Sequence, residues 1–323
     1  MGPTPIQRAG RALHARVAHP TAALFAMLLL AAIGPAPAAG SRLLLHDVGP
    51  IGPHVRSDGE RYIAASGTTL GAAVTVLDTR TGKRSTVASP AGCFFSDAHA
   101  ATLLWECEGR DGFETGATLD LATGSRTALP VPPHDVATAD GSRYEAIGAR
   151  WARVRFFSYH STTVAWISRR TGRLVSDDPG ASFVPDLDRA ALMRPLCSPV
   201  ERPTVPDTSG LGVVLADELA RAGPWAAGTR YADIEAPPGV VQLQHCGRAP
   251  RTLRICRHVQ CSDPVITRDF VAWTENDRRG RLVVRSLATG RVRSASRPAP
   301  LTPLLAGRRL YVAEAGRLLR VAL

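Results

Sequence analysis

The sequence contains none of the short motifs that mark the best-known enzyme sites. It has no H-E-x-x-H zinc motif, no G-x-S-x-G nucleophile elbow and no G-x-x-x-x-G-K-S/T phosphate loop. It also has no heptad repeat and no polybasic tail. These absences exclude the zinc proteases, serine hydrolases and P-loop NTPases that such motifs define. The sequence therefore predicts no metal site and no cofactor.

Lysine is almost absent. Lys83 is the single lysine beside 38 arginines, and the formal net charge is +11. The arginines are scattered along the chain, and their adjacent pairs are isolated: 169–170, 278–279 and 308–309. Such an excess of arginine over lysine, with much Ala, Gly and Pro, is typical of a compositional bias rather than of a basic patch. We therefore expect a solvated basic surface and no nucleic-acid partner, with a polyanion site as the alternative.

Long apolar runs are also missing, apart from one near the N-terminus. Residues 21–33 form a run of about 13 residues, which is shorter than the roughly 20 that span a bilayer. Three arginines and no acidic residue precede it: Arg8, Arg11 and Arg16. Small residues follow it at Ala36-Pro37-Ala38, as a signal peptidase site requires. The pattern predicts a signal peptide at residues 1–38, with an uncleaved N-terminal anchor as the alternative.

Export of the chain has three consequences. Cleavage after Ala38 removes three arginines and lowers the net charge from +11 to +8. The mature chain then has no segment apolar enough to cross a membrane. We expect a secreted or cell-envelope protein.

All six cysteines follow the predicted cleavage site: Cys93, Cys107, Cys197, Cys246, Cys256 and Cys261. An even number of cysteines in an exported chain predicts disulfides. The preferred pairs are Cys93–Cys107, Cys256–Cys261 and Cys197–Cys246. The neighbouring His245 and His258 suggest zinc, but the spacing C-x9-C-x4-C matches no common zinc module.

A short hairpin signature recurs along the chain. Thr-Gly pairs occur at 81–82, 123–124, 171–172 and 289–290, and Cys246-Gly247 is a degenerate copy. Each pair lies between two β-prone runs, as in TVLDTRTGKRSTV from Thr75 to Val87. Glycine suits such a tight turn because it adopts a positive φ at little cost.

Each unit also has a leading element, a small turn followed by an apolar strand. Six such elements begin at Ser57, Ser96, Ala139, Gly223, Cys261 and Leu304. Self-similarity at 40–50 residues predicts an all-β fold, a β-propeller whose innermost strands are these apolar runs. We expect one propeller domain at residues 39–323, with six blades or alternatively seven. The strand at 41–48 would close the last blade, and residues 177–222 would form an irregular insertion.

The repeated hairpins with Asp before Thr-Gly resemble the bacterial secreted β-propellers of the TolB-like and PQQ-like repeat type. The resemblance extends from about residue 41 to residue 323. It implies the fold and little chemistry, because propellers of this shape serve as binding scaffolds, lyases, cyclases and dehydrogenases.

Histidines beside acidic residues are the remaining candidates for catalysis. Several propeller lyases and cyclases act through His and acidic residues near the axis, so the pairs His99 with Asp97 and His134 with Asp135 are candidates for acid–base roles. The competing interpretation is local hydrogen bonding within a turn.

The repeats without an assembled motif favour a non-catalytic scaffold. It would bind an unknown protein or small-molecule ligand on one face of the propeller. The alternative is a propeller lyase or hydrolase that acts on a sugar or peptide-like substrate. Convergence of His and Asp or Glu from different blades would favour the enzyme.

Overall fold

The computed structural model describes most of the chain after residue 41. The described ranges are 42–109, 114–130, 140–148, 151–157, 162–172, 220–231, 239–245, 248–249, 251–256, 260–262, 264–298 and 300–323. They belong to one compact unit, Ser41–Leu323. The predicted signal peptide and most of the predicted insertion lie outside these ranges. The last three residues of that insertion, Ala220–Ala222, form a regular strand.

The regular elements of the described residues are β-strands, arranged in six antiparallel sheets. Sheet 1 consists of β2 (His54–Ser57), β3 (Tyr62–Ser66), β4 (Val74–Asp78) and β5 (Arg84–Val87). Sheet 2 consists of β6 (Cys93–His99), β7 (Thr102–Cys107), β8 (Thr115–Asp120) and β9 (Arg126–Ala128). Sheet 3 consists of β10 (Gly141–Ile147), β11 (Trp151–Phe157) and β12 (Thr162–Ser168).

The other three sheets follow in chain order, and the last includes the first strand of the chain. Sheet 4 consists of β13 (Ala220–Ala222), β14 (Trp225–Tyr231), β15 (Gly239–His245) and β16 (Arg251–Cys256). Sheet 5 consists of β17 (Gln260–Cys261), β18 (Val265–Ile266), β19 (Phe270–Asn276), β20 (Arg281–Ser286) and β21 (Val292–Ser296). Sheet 6 consists of β22 (Leu301–Ala306), β23 (Arg309–Glu314), β24 (Arg317–Ala322) and β1 (Leu44–Pro50).

Each Thr-Gly turn follows the third strand of its sheet and is closed by hydrogen bonds within the turn. In sheet 1 the Asp78 carboxylate accepts the Arg80 N–H at 2.9 Å, and the Gly82 N–H donates to the Asp78 carbonyl at 2.8 Å. Asp120 makes the same bonds in sheet 2. The four turn glycines have φ between +69° and +74°. The repeated sequence is therefore a repeated hairpin, closed by a side-chain cap and a positive φ.

The sheets follow one another around an axis. The first strand β2 contacts β22 on one side and β6 on the other, β6 contacts β10, and β18 contacts β13 and β22. The turns after the first strands also meet, because the Gly307 N–H donates to Gly59 and the Ala100 N–H donates to Asp58. Sequential sheets whose first strands contact one another form a β-propeller. A seventh blade would lie in residues 173–219, outside the described ranges.

The prediction that the apolar leading runs are innermost is wrong. Five of them are the second strands β3, β7, β14, β19 and β23, whereas the third run forms the first strand β10. A second strand has a neighbouring sheet against both of its faces, so successive residues are buried. β19, for example, is buried over all but its last residue.

The N-terminal strand is paired as the sequence suggested. β1 runs antiparallel to β24, from Leu44 opposite Ala322 to Pro50 opposite Arg317. Sheet 6 thus combines residues from both ends of the described chain. Two of the predicted disulfides are present, Cys93–Cys107 across β6 and β7 and Cys256–Cys261 between sheets 4 and 5. Cys197 and Cys246 lie outside the described residues.

Replacing Gly82 tests the repeated hairpin. Ala at φ +74° is strained even though no atom lies within 4 Å of a Cβ at this position. We expect Gly82→Ala to lower the free energy of unfolding by about 1 kcal/mol, measured by urea denaturation. Gly67 has an ordinary φ and only one contact, with the Ala72 Cβ at 3.4 Å, so Gly67→Ala is the matched control. Equal losses in both variants would contradict this account.

Candidate functional site

Two β-bulges bring sheets 2 and 3 together near the axis. The register of β6 shifts between Phe95 and Asp97, and the register of β10 shifts between Tyr144 and Ala146. The Ser96 hydroxyl, at the first bulge, donates to the Tyr144 carbonyl at 3.1 Å. A bulge turns side chains out of the regular alternation, so polar groups on these strands can reach the neighbouring sheet.

Among the predicted site residues, Asp97 has a hydrogen bond that joins two sheets. The Ile147 N–H of β10 donates to the Asp97 carboxylate at 3.0 Å. Burial raises the pKa of Asp97 to about 6, and the hydrogen bond from Ile147 and the charge of Arg56 oppose this shift. The carboxylate therefore links the first strands of two sheets.

His99 ends β6 and is half-buried. Its charge favours the ionised form of Asp97, so the structure brings these two predicted residues close together. Both belong to one strand. His134 and Asp135, the second predicted pair, lie outside the described residues.

His54 and Arg56, on the first strand of sheet 1, complete this cluster, and the sequence analysis did not select them. The His54 ring packs against the Phe94 ring at 4.7 Å, and the Arg56 Nε–H donates to the Ser96 carbonyl at 3.1 Å. Burial and the charge of Arg56 lower the pKa of His54. The alternation of polar and apolar residues in H-V-R-S was the available signal, because it marks a strand with one polar face.

A second cluster of charged groups lies between sheets 2 and 3, and the sequence analysis also missed it. Burial and the neighbouring Glu114 carboxyl raise the pKa of Glu106. Glu145 of β10 forms ion pairs with Arg143 at 3.5 Å and with two arginines of β11, Arg153 and Arg155. The cluster therefore combines paired charges with a carboxyl group whose pKa is raised.

The arginines that follow the Thr-Gly turns bind the edges of neighbouring sheets. Arg84 of β5 donates to the Val48 carbonyl at 3.0 Å and to the Pro50 carbonyl, both on β1. Arg126 of β9 donates to the Ala88 carbonyl at 2.8 Å. These arginines cover strand edges that would otherwise be open to pairing.

Within the described ranges, no three His, Cys, Asp or Glu side chains are grouped closely enough to bind a metal ion. No helix in the same ranges is both long and apolar enough to cross a membrane.

The propeller has two unlike faces. We call the side of the first turns, at 58–61, 100–101 and 307–308, the turn face, since these turns hydrogen-bond to one another. The opposite side is the loop face, which includes the connection between the second and third strands of sheet 1, residues 67–73. Leu70 on the loop face is 52% exposed. The Arg143 side chain, at the start of β10, is half exposed.

The loop-face residues of sheets 1 and 2 are in contact. The Gly71 N–H donates to the Cys93 carbonyl at 2.8 Å, so the loop with Leu70 touches the start of β6. In sheet 2, Phe94 lies opposite Glu106. The charge of Arg143 in sheet 3 favours the ionised form of Glu106.

No protein-family model and no curated protein matches the chain. Solved structures do resemble it. The chain is similar over 88% of its length to an acylaminoacyl peptidase from Pyrococcus horikoshii, with a TM-score of 0.50 and 10% identity, and it spans about half of that protein (52%). It is also similar over 87% of its length to the β-propeller domain of the Trilobed protease from Pyrococcus furiosus, with a TM-score of 0.47, 10% identity and 93% of that chain covered.

A third similar structure is TolB from Acinetobacter baumannii, with a TM-score of 0.42 and 12% identity. The alignment covers 76% of this chain and 54% of that protein. At these identities the likeness concerns the β-propeller fold alone.

Two substitutions of Asp97 separate a structural role from a catalytic one. Asp97→Ala removes the acceptor of the buried Ile147 N–H, so we expect a loss of about 1–3 kcal/mol in the free energy of unfolding. Asp97→Asn keeps an acceptor oxygen and should lose clearly less. Both variants are compared with the wild type by urea denaturation at pH 7. If neither variant changes stability, Asp97 does not link the sheets.

Proposed function

We propose that this β-propeller is an exported, non-catalytic scaffold that binds a protein or small-molecule ligand on its loop face. The proposal rests on the hydrogen bonds that Asp97, the candidate acid–base residue, and Arg56 form with the main chain of neighbouring sheets. Asp97 accepts the main-chain Ile147 N–H, and Arg56 donates to the main-chain Ser96 carbonyl. Both bonds join neighbouring sheets.

A catalytic base must reach the proton of a bound substrate. The Asp97 carboxyl accepts a hydrogen bond from the main chain of β10, which holds it against that strand. His99 shares the strand of Asp97, and the His54 ring of sheet 1 packs against Phe94 and Phe95. The arrangement supports rigidity of the inner ring rather than turnover.

The loop face supports binding better than the turn face does. The first turns are short and are hydrogen-bonded to one another, as at Gly59 with Gly307 and at Asp58 with Ala100. The loop face has the longer connection 67–73, which presents Leu70 to solvent. Loops on a rigid scaffold are where binding residues concentrate. A partner with an apolar group and a carboxylate would complement Leu70 and Arg143.

Export is supported by two independent features. The predicted signal peptide occupies residues 1–38. Two disulfides join described cysteines, and disulfides persist mainly in oxidising compartments.

One observation favours the enzymatic alternative, a lyase or hydrolase acting on a sugar or peptide-like substrate. Burial and the neighbouring Glu114 raise the pKa of Glu106, which is the direction that suits a general acid. Glu106 lies beside the loop face. A screen of glycoside, polysaccharide and peptide substrates, with Glu106→Gln as the matched variant, tests this alternative. Turnover by the wild type that Glu106→Gln abolishes would replace the scaffold proposal.

Site-specific photo-crosslinking tests the scaffold proposal. A photoreactive amino acid is placed at Leu70 or Arg143 on the loop face, or at the exposed Arg308 on the turn face as control. The mature protein is then irradiated with the extracytoplasmic fraction of its source. We expect one defined adduct from the two loop-face positions, which mass spectrometry identifies, and none from Arg308. An adduct formed only at Arg308, or equal adducts at all three positions, would refute binding on the loop face.

A further inference from the structure

A groove lies between sheets 5 and 6, beside the turn at Thr289 and Gly290. It is lined by residues of sheet 5 and its turns, and by Leu323, which directly follows β24 of sheet 6. Its volume is about 480 Å³, within the range of about 300–1,000 Å³ that is usual for small-molecule sites. The lining has an apolar part and a charged part, so the groove can distinguish between classes of ligand.

The apolar part of the lining, which we call the apolar wall, consists of Phe270, Val284 and Leu323. Phe270 and Val284 lie on the face of sheet 5 that packs against sheet 6, and both belong to the apolar cluster between these sheets. Leu323 is 46% exposed. A hydrocarbon chain in the groove would cover part of this exposed side chain, and the burial of apolar surface would favour binding.

Contacts next to the groove hold its two sides together. The Leu43 N–H, directly before β1 of sheet 6, donates to the Ser294 carbonyl of β21 at 3.2 Å. The Leu43 side chain is buried and packs in the same apolar cluster as Phe270 and Val284. The groove is therefore preformed, and a ligand would not need to separate the two sheets.

Two arginines give the groove its positive charge. Arg293 lies opposite Val284 in the register of β20 and β21, and Arg291 precedes it by two residues. Side chains two residues apart in an extended chain share a face, and both arginines line the groove. The described residues contain no ion-pair or hydrogen-bond partner for either guanidinium group. By contrast, Arg84 and Arg126 donate to main-chain carbonyls.

Comparison with sheet 1 shows why the groove is open in sheet 5. The second strand of sheet 1 begins at Tyr62 opposite Asp78, as β19 begins at Phe270 opposite a serine. In sheet 1 the preceding Arg61 donates to the Asp78 carboxylate at 3.0 Å and lies over the Tyr62 ring at 5.0 Å. Sheet 5 has Asp269 in the place of Arg61. The Arg–Asp pair that spans this end of sheet 1 therefore has no counterpart in sheet 5.

The charges of the lining limit the class of ligand. Arg291 and Arg293 contribute two positive charges and Asp269 contributes one negative charge, so the side chains of the lining have a net charge of +1. A guanidinium group binds a carboxylate through two parallel hydrogen bonds. The hydroxyl groups of Ser286 and Thr289 are further donors in the lining. One carboxylate matches this set of groups, whereas a polyanion would exceed its charge.

We propose that the groove between sheets 5 and 6 is a binding site for a small monocarboxylate with a hydrocarbon chain, whose carboxylate is bound by the two arginines and whose chain lies along the apolar wall. The lining belongs to sheets 5 and 6, whereas Leu70 and Arg143 of the proposed binding face belong to sheets 1 and 3. This inference is therefore independent of the proposed binding role.

Methyl-resolved NMR of the intact protein, with sodium octanoate as the probe, tests the site. The reporters are the methyl groups of Val284 and Leu323, and the reference is the buried Val74 of sheet 1. We expect octanoate to shift both reporters in a saturable manner and to leave Val74 unchanged. Sodium acetate lacks the chain and 1-octanol lacks the charge, so each should bind at least about tenfold more weakly.

Two variants make the test specific. Arg293→Gln removes one guanidinium group from the groove, and we expect the Kd for octanoate to rise by about tenfold or more. Arg285→Gln is the matched control, because Arg285 lies opposite Val292 on the other face of the same hairpin, and it should keep the wild-type Kd. Both arginines are partly exposed, so both variants should fold. Unshifted reporters, equal binding of 1-octanol or of acetate, or the same Kd for Arg293→Gln and Arg285→Gln would overturn the proposal.

Discussion

Sheet 1 depends on both of its neighbours, because its second strand is apolar on both faces. On β3 the adjacent residues Ile63 and Ala64 are both fully buried. Ile63 packs in a cluster with Leu304 and Tyr311 of sheet 6, whereas Ala64 packs in another cluster with Trp105 of sheet 2. An isolated sheet would expose both of these sets to water. The ring of sheets follows from this requirement. Arg84 and Arg126 cover strand edges at its outside.

The interfaces between neighbouring sheets are not equivalent. Sheets 5 and 6 meet through a large apolar cluster that includes Phe270, Leu282 and Leu310. Sheets 2 and 3 meet through an apolar cluster as well, but their first strands also carry bulges, and the Ile147 N–H donates to the Asp97 carboxylate between them. Ion pairs join other neighbouring sheets. Arg254 of sheet 4 pairs with Glu275 of sheet 5 at 3.0 Å, and Arg297 pairs with Glu314 of sheet 6 at 2.8 Å.

The sequence predicted those features whose interacting residues lie close together along the chain. The Thr-Gly hairpin needs only Asp78 to Gly82, so its repetition could be read directly. The Cys93–Cys107 disulfide was predicted because the two cysteines flank one predicted strand and are each other's nearest neighbours in sequence. The bond between Asp97 and Ile147 spans 50 residues, and it depends on how two sheets meet. The position of Glu106 near the charge of Arg143 is likewise set by the meeting of sheets 2 and 3.

The sequence by itself determined the repeat, the turn chemistry and the presence of apolar strands, because each of these is encoded within a few consecutive residues. It also indicated that an N-terminal strand would complete the last sheet, since that sheet has too few residues of its own. Only the tertiary structure decided which strand of each sheet lies at the axis and which role Asp97 has. A bulge of a single residue at Ser96 changes the direction of the following side chains, and no local pattern in the sequence marks it.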